Sequence, residues 1–160
     1  MKKIGLTGGI ATGKSTVSMI LRELEVPVID ADAVDRCLSE KGSKVWQAVY
    51  DHFGSKFFLP DGEMDRNALG RLIFSDKEAR ETLNRITHPI IQREMEEILR
   101  QTEKNQDPPI AVLDVPLLFE ANMQHLCDEI WVVTAPEDMR FKRIMRSGWL
   151  PYRKNCRSGG

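Results

Sequence analysis

Eight consecutive residues, Gly8-Gly-Ile-Ala-Thr-Gly-Lys-Ser15, place glycines, a lysine and a hydroxyl in the spacing G-x-x-x-x-G-K-[ST]. Gly8, Gly9 and Gly13 let a loop wrap through Ile10, Ala11 and Thr12 so that successive backbone N–H groups point inward. A cradle of that kind suits phosphate oxygens, and a helix beginning at Lys14 would add the positive end of its dipole. In this pattern the lysine ammonium reaches the β- and γ-phosphates of a nucleoside triphosphate, and the serine hydroxyl ligates Mg²⁺. The pattern requires a strand before it and a helix after it, and both are predicted.

Three carboxylates sit where strands should end. Asp114 closes the apolar run Ile110-Ala-Val-Leu-Asp114. It has two readings, a magnesium-holding aspartate or a cap for the turn towards Pro116. Asp30 and Asp32 end the run Val26-Pro-Val-Ile-Asp-Ala-Asp32, on the sheet edge where open parallel sheets bind ligands. Asp32 is expected to accept the proton of an attacking hydroxyl as a phosphoryl group is transferred. Its alternative is an N-cap for a helix over Val34 to Leu38. Asp30 is expected to support it. Arg140, Lys142, Arg143 and Arg146 form a basic cluster suited to a cationic lid over phosphates, or to a solvated helix face. His88, ahead of Pro89, reads as a structural residue.

The elements that must position these groups follow from periodicity. Ile4 to Thr7 reads as a buried strand, and Val17, Ile20, Leu21 and Leu24 as one face of a helix from Lys14. Val26 to Ile29, Ile110 to Asp114 and Glu129 to Thr134 supply three more strands. Between them, Val45 to Phe53 predicts an amphipathic helix ending near Gly54, and Pro60-Asp-Gly62 a turn. Arg66 to Phe74 predicts a short helix, and Ser75-x-x-Glu78 a capping box for the next. Pro89 is expected to break that helix and to open another carrying Ile90, Ile91, Met95, Ile98 and Leu99. Thr102 to Pro109 reads as a loop, and Pro136 to about Arg146 as a returning helix. The fold class is therefore α/β, a P-loop three-layer arrangement with a parallel sheet of about four strands. Residues 1–39 and 108–146 form the nucleotide-binding core, 40–107 a helical insertion, and 147–160 an irregular tail.

Composition narrows the class. The 160 residues carry 23 Lys+Arg against 24 Asp+Glu, a balance that offers no broad attraction to nucleic acid or an anionic membrane. Cys37, Cys127 and Cys156 lie far apart, as do His52, His88 and His125, so no zinc pattern forms. No run approaches the roughly 20 apolar residues of a membrane span, and the reading is a cytoplasmic protein with reduced thiols.

Several motifs together resemble the dephospho-coenzyme A kinase family. They are Ile4-Gly-Leu-Thr-Gly-Gly-Ile-x-x-Gly-Lys-Ser15, Val26-Pro-Val-Ile-Asp-Ala-Asp32, Phe53-Gly54, Asp61-Gly62 and Asp65-Arg66. Leu83-Asn84-x-Ile86-x-His88-Pro89-x-Ile91, Pro116-Leu-Leu-Phe-Glu120 and Val132-Val133-x-Ala135-Pro136 with Arg143 continue the likeness to about residue 145. The resemblance implies ATP-dependent phosphorylation of the ribose 3′-hydroxyl of dephospho-coenzyme A, the last step of coenzyme A synthesis. It puts the base at Asp32, the nucleotide on Gly8 to Thr16, and the acceptor against Asp65, Arg66, His88 and the loop of Pro116, Leu117 and Glu120. Beyond Met145 the family pattern dissolves, as after a shift of reading frame. A lost fifth strand would expose the fourth as an edge, so lowered stability and weakened or lost turnover are expected, with the P-loop itself intact. Nucleoside monophosphate or shikimate kinases are rival readings, disfavoured by the Asp30-Ala-Asp32 and Pro116 to Glu120 signatures. A GTPase would need an Asn-Lys-x-Asp motif, which Asn105-Gln-Asp-Pro108 does not supply. From another class, the chain could be a non-catalytic nucleotide-binding module.

Overall fold

The computed structural model describes residues 1–9, 12–136 and 138–139. Its centre is a sheet of four parallel strands, β1 (Lys2–Gly8), β2 (Val28–Asp30), β3 (Ile110–Asp114) and β4 (Glu129–Val133), in the order β2-β3-β1-β4. Parallel strands need long crossovers, and the first is α1 (Lys14–Glu23), which carries the chain from β1 over β3 to β2. In register, Leu6 and Asp30 both lie against Asp114, and Gly8 against Val133. The carboxyl ends of β1, β2 and β3 are thereby brought together at the point where the strand order reverses, the usual ligand crevice of an open α/β sheet.

Strand alternation divides the core in two. Ile4, Leu6 and Val112 face α1, against Val17 and Leu21. Ala111, Leu113 and Ile29 face the other way, in one apolar cluster with Val45, Val49, Leu69, Ile91, Met95 and Leu99. These come from α3 (Lys44–Phe53), α4 (Arg66–Ser75) and α5 (Lys77–Gln106), with α2 (Ala31–Leu38) between β2 and α3. The helices of the insertion and the sheet therefore share a continuous hydrophobic core.

The four expected strands form, although β2 begins at Val28, after Pro27. α5 departs from expectation, running unbroken for 30 residues with Pro89 inside it. Proline forfeits one helical hydrogen bond. Pro89 and Arg85, whose carbonyl loses that partner, both lie on the exposed side of the helix, while Thr87, Ile91, Met95 and Leu99 are buried on the other. Packing along the buried face outweighs the local penalty and keeps His88 helical. The helix also runs on to Gln106, through the polar stretch expected as a loop. Its cap is Asp76, whose Oδ1 accepts from the N–H groups of Glu78 and Ala79 at 3.0 and 3.2 Å. Ser75 belongs instead to α4, donating to the Arg71 carbonyl. The expected helix up to Arg146, from Arg140 on, and the tail 147–160 lie outside the described residues.

Candidate functional site

The loop after β1 is shaped by two glycine positions. A Cβ on Gly8 would come within 2.8 Å of both Thr12 Oγ1 and the Val133 carbonyl, so no larger residue fits there. Gly13 caps α1 at φ 100°, a left-handed conformation that favours glycine. Thr12 Oγ1 donates back to the Gly9 carbonyl at 2.9 Å and closes the loop. Ile10 and Ala11 lie outside the described residues. Ser15 and Thr16 are exposed in the first turn of α1.

Beneath the loop, Asp114 is buried at the end of β3 with both carboxylate oxygens engaged. Lys14 Nζ pairs with Oδ1, and Ser18 Oγ donates to Oδ2 at 2.6 Å. Lys14 and Ser18 are four residues apart on α1, hence one turn apart on the same face. That spacing was the available sign of Ser18. Of the two sequence readings of Asp114, the turn cap has no hydrogen bond among the described residues, whereas the bond to the P-loop lysine puts the carboxylate in the crevice.

The pair Asp30 and Asp32 divides its labour. Asp30 is the N-cap of α2, its Oδ1 accepting from Asp32 N at 2.9 Å and Ala33 N at 3.3 Å. Asp32, offered above as a possible cap, is instead in the first helical turn with its carboxylate open to the cleft. Its carboxyl is held above the usual aspartate value, first by the thinned water in the concave cleft and next by Asp30; Lys14 pulls it down, while Asp35 and Asp114 add to the rise. Asp32 thus feels three other carboxylates and one ammonium, an excess of negative charge at a crevice expected to take phosphates.

A cavity of about 380 Å³ opens beside Asp32, between the sheet edge and the insertion. It brings together Asp32, Arg66, His88, Pro116 and Leu117 from the expected acceptor side. Asp35, Ser39, Asn84 and Thr87 join them as polar lining that sequence reading missed. Asp35 follows Asp32 by three residues on a helix, a spacing that shares a face. Burial lowers the His88 pKa, and Asp35 partly restores it. Asp65 does not line the cavity; its Oδ1 caps α4 by accepting from Ala68 N at 3.1 Å, which orients Arg66 one residue on. Glu120 is likewise outside the lining, in the exposed turn after Pro116. That turn is fixed at both ends: Thr7 Oγ1 donates to the Pro116 carbonyl at 2.9 Å, and Gln92 Nε2 to the Ala121 carbonyl at 2.7 Å. Arg143 and its basic neighbours are outside the described residues.

Comparison with known proteins bears on this geometry. The dephospho-CoA kinase family model matches residues 2–150. The chain belongs to the dephospho-CoA kinase family. A dephospho-CoA kinase of Moorella thermoacetica is 46% identical over 142 residues, 89% of this chain and 67% of the relative. One from Carboxydothermus hydrogenoformans is 47% identical over 147 residues, 91% of this chain and 71% of the relative. Among solved structures, the dephospho-CoA kinase from Campylobacter jejuni superposes with a TM-score of 0.67 at 29% identity, covering 94% of this chain and 75% of its own. A Thermus thermophilus crystal structure reaches 0.76 at 33% identity, covering 93% and 74%. The family is a kinase family that uses ATP and catalyses the last step of coenzyme A biosynthesis. Its small-molecule acceptor is dephospho-CoA, and no helix among the described residues is long and apolar enough to cross a membrane.

Proposed function

We propose that Lys14, Asp32 and Asp114 form the phosphoryl-transfer centre, with ATP on residues 8–16 and the acceptor ribose entering from the cavity. The observation that carries this reading is the position of Asp32. It lines the acceptor cavity and is also within electrostatic reach of Lys14 and Asp114. A raised pKa brings a carboxylate nearer the pH at which a general base works. Asp32 then takes the proton of the ribose 3′-hydroxyl as the oxygen bonds to the γ-phosphorus, and the β–γ bridge breaks to leave ADP. Lys14 turns from Asp114 to the phosphate oxygens, where it offsets the charge moving onto them. Arg66 on α4 and His88 on α5, both lining the cavity, would hold the acceptor, with Pro116 and Leu117 as an apolar edge. Asp30, Asp65 and Glu120 would act on the acceptor indirectly, through the helices and turn they shape, and Arg143 would close over the phosphates.

The donor set fits Mg²⁺. Asp114 and Ser15 offer hard oxygen ligands, the kind this ion takes alongside substrate phosphates rather than in an all-protein cage, and the surplus of carboxylates favours a cation. When bound, the ion neutralises phosphate charge as the phosphoryl group moves. The setting we infer is the cytoplasm, where Cys37 and Cys127, both free, stay reduced.

The test is ADP release from ATP and Mg²⁺ with and without dephospho-coenzyme A. Release should require the acceptor, and Asp32→Asn should lower kcat by about 10²- to 10⁴-fold with acceptor binding retained. Wild-type turnover in that variant would remove Asp32 from the chemistry. ATP binding without acceptor-dependent release by the wild-type chain would favour a non-catalytic nucleotide-binding module.

A further inference from the structure

We infer that Ser18 is a positioning residue that locks the Asp114 carboxylate, so that it stays turned to the nucleotide when Lys14 leaves it. The inference rests on the proposed roles of Lys14 and Asp114. The two oxygens of Asp114 are held by two side chains of the same helix, Lys14 on Oδ1 and Ser18 on Oδ2. Ser18 is 2% exposed and Asp114 5%, so neither reaches bulk water. Once Lys14 is drawn to phosphate, Oδ1 loses its partner and a cation there can replace the lost charge. Oδ2 keeps the Ser18 hydroxyl throughout, because that bond is shut away beneath the loop and touches no substrate. A carboxylate anchored at one oxygen presents the other in a fixed direction. An unanchored one would swing with the departing ammonium and leave a buried oxygen unsatisfied, which is costly for a charged group. Ser18 therefore couples the two ligands: it makes nucleotide binding gain more from the divalent ion than it otherwise would.

The measurement is calorimetric binding of a non-hydrolysable ATP analogue, with Mg²⁺ and in excess chelator, so that each protein yields a ratio of two dissociation constants. Ser18→Ala should reduce that ratio by about tenfold, as loss of a hydrogen bond to an ionised group implies, mainly by weakening the Mg²⁺ complex. Ser18→Thr, which retains the hydroxyl, should recover most of it. Ser18→Cys, close to serine in volume but a poor donor, should behave like alanine; it serves where the alanine variant folds badly, as thermal melting will reveal. An unchanged ratio in Ser18→Ala, or equal weakening with and without the ion, would overturn the inference in favour of simple packing. Asp114→Asn separates the two levels of the argument. If it abolishes the effect of Mg²⁺ while Ser18→Ala leaves the ratio unchanged, only the Ser18 role fails; if it too leaves the effect intact, the reading of Asp114 fails and takes Ser18 with it.

Discussion

Lys14→Ala is the usual inactivating change in a phosphate-binding loop, and here it should also unfold the free protein more easily. The side chains of Lys14 and Asp114 are 15% and 8% exposed, so their pair lies out of water. Removing one member of such a pair strands a buried charge, at a cost of about 3–5 kcal/mol. Ser18 still donates to Oδ2 in the variant, which puts the expected loss at the lower end, about 3 kcal/mol. For a chain of this size that corresponds to a fall in Tm of about 6–12 °C. Asp114→Asn should cost less, about 1–2 kcal/mol, because the amide can still accept from Ser18 and the lysine stem can turn its ammonium to solvent. The double variant should then be more stable than the sum of the single losses implies, by about 2 kcal/mol. Thermal and urea unfolding of the four proteins without nucleotide would measure this cycle. A Lys14→Ala melting point within 2 °C of wild type, or additivity to within about 0.5 kcal/mol, would refute the buried-pair argument.

The same electrostatics predict the pH behaviour of Asp32. Its folded pKa lies above the ordinary value of 3.8, so the acid limb of kcat/KM should lie above that ordinary value, and the limb should vanish in Asp32→Asn. A raised carboxylate pKa favours folding while the group is protonated and opposes it once ionised. Asp32→Asn should therefore raise Tm at pH 7, with the gain fading as pH drops through the folded pKa towards 3.8. A lower Tm at neutral pH would contradict the crowding of carboxylates around Asp32. Away from the site, Gly5→Ala would drive a methyl to 2.6 Å from Cys127 Sγ and 2.7 Å from Leu118 Cδ1. Overpacking of that kind costs about 1–3 kcal/mol, measurable by urea unfolding, and an unchanged midpoint would mean that the Cys127–Leu118 wall yields freely.

Much of this arrangement was legible in the chain because the signals are local. A strand, a glycine loop and a helix follow one another within twenty-odd residues, and the apolar runs ending in Asp30 and Asp114 mark strand ends by composition alone. The division between Asp30 and Asp32 was legible only as a preference, with the cap left open for Asp32. Two carboxylates two residues apart leave open which one faces the helix N-terminus, and the answer depends on where α2 begins. It begins at Ala31, so Asp30 meets the free N–H groups and Asp32 is released to the cleft. The cavity was legible only through resemblance, since its walls come from α2, α3, α4, α5 and the turn after β3, none of which carries a motif that points to the others.

Pro89 shows why local rules failed where they did. A proline in a helix interior argues for a break, and the argument is sound for the residue taken alone. Yet a break there would separate Asn84, Thr87 and His88, which line the cavity, from Met95 and Leu99, which pack against β3. The continuous α5 ties one wall of the cavity to the apolar cluster on the sheet face. Its buried face extends nearly three turns beyond the proline on the sheet side, to Leu99, and Gln92 holds the Pro116 to Ala121 turn from the same stretch. The local cost of one lost hydrogen bond is set against burial along a whole helix face. Resolving that balance needs the tertiary partners, Ala111, Leu113 and Val115, which lie some twenty residues further along the chain.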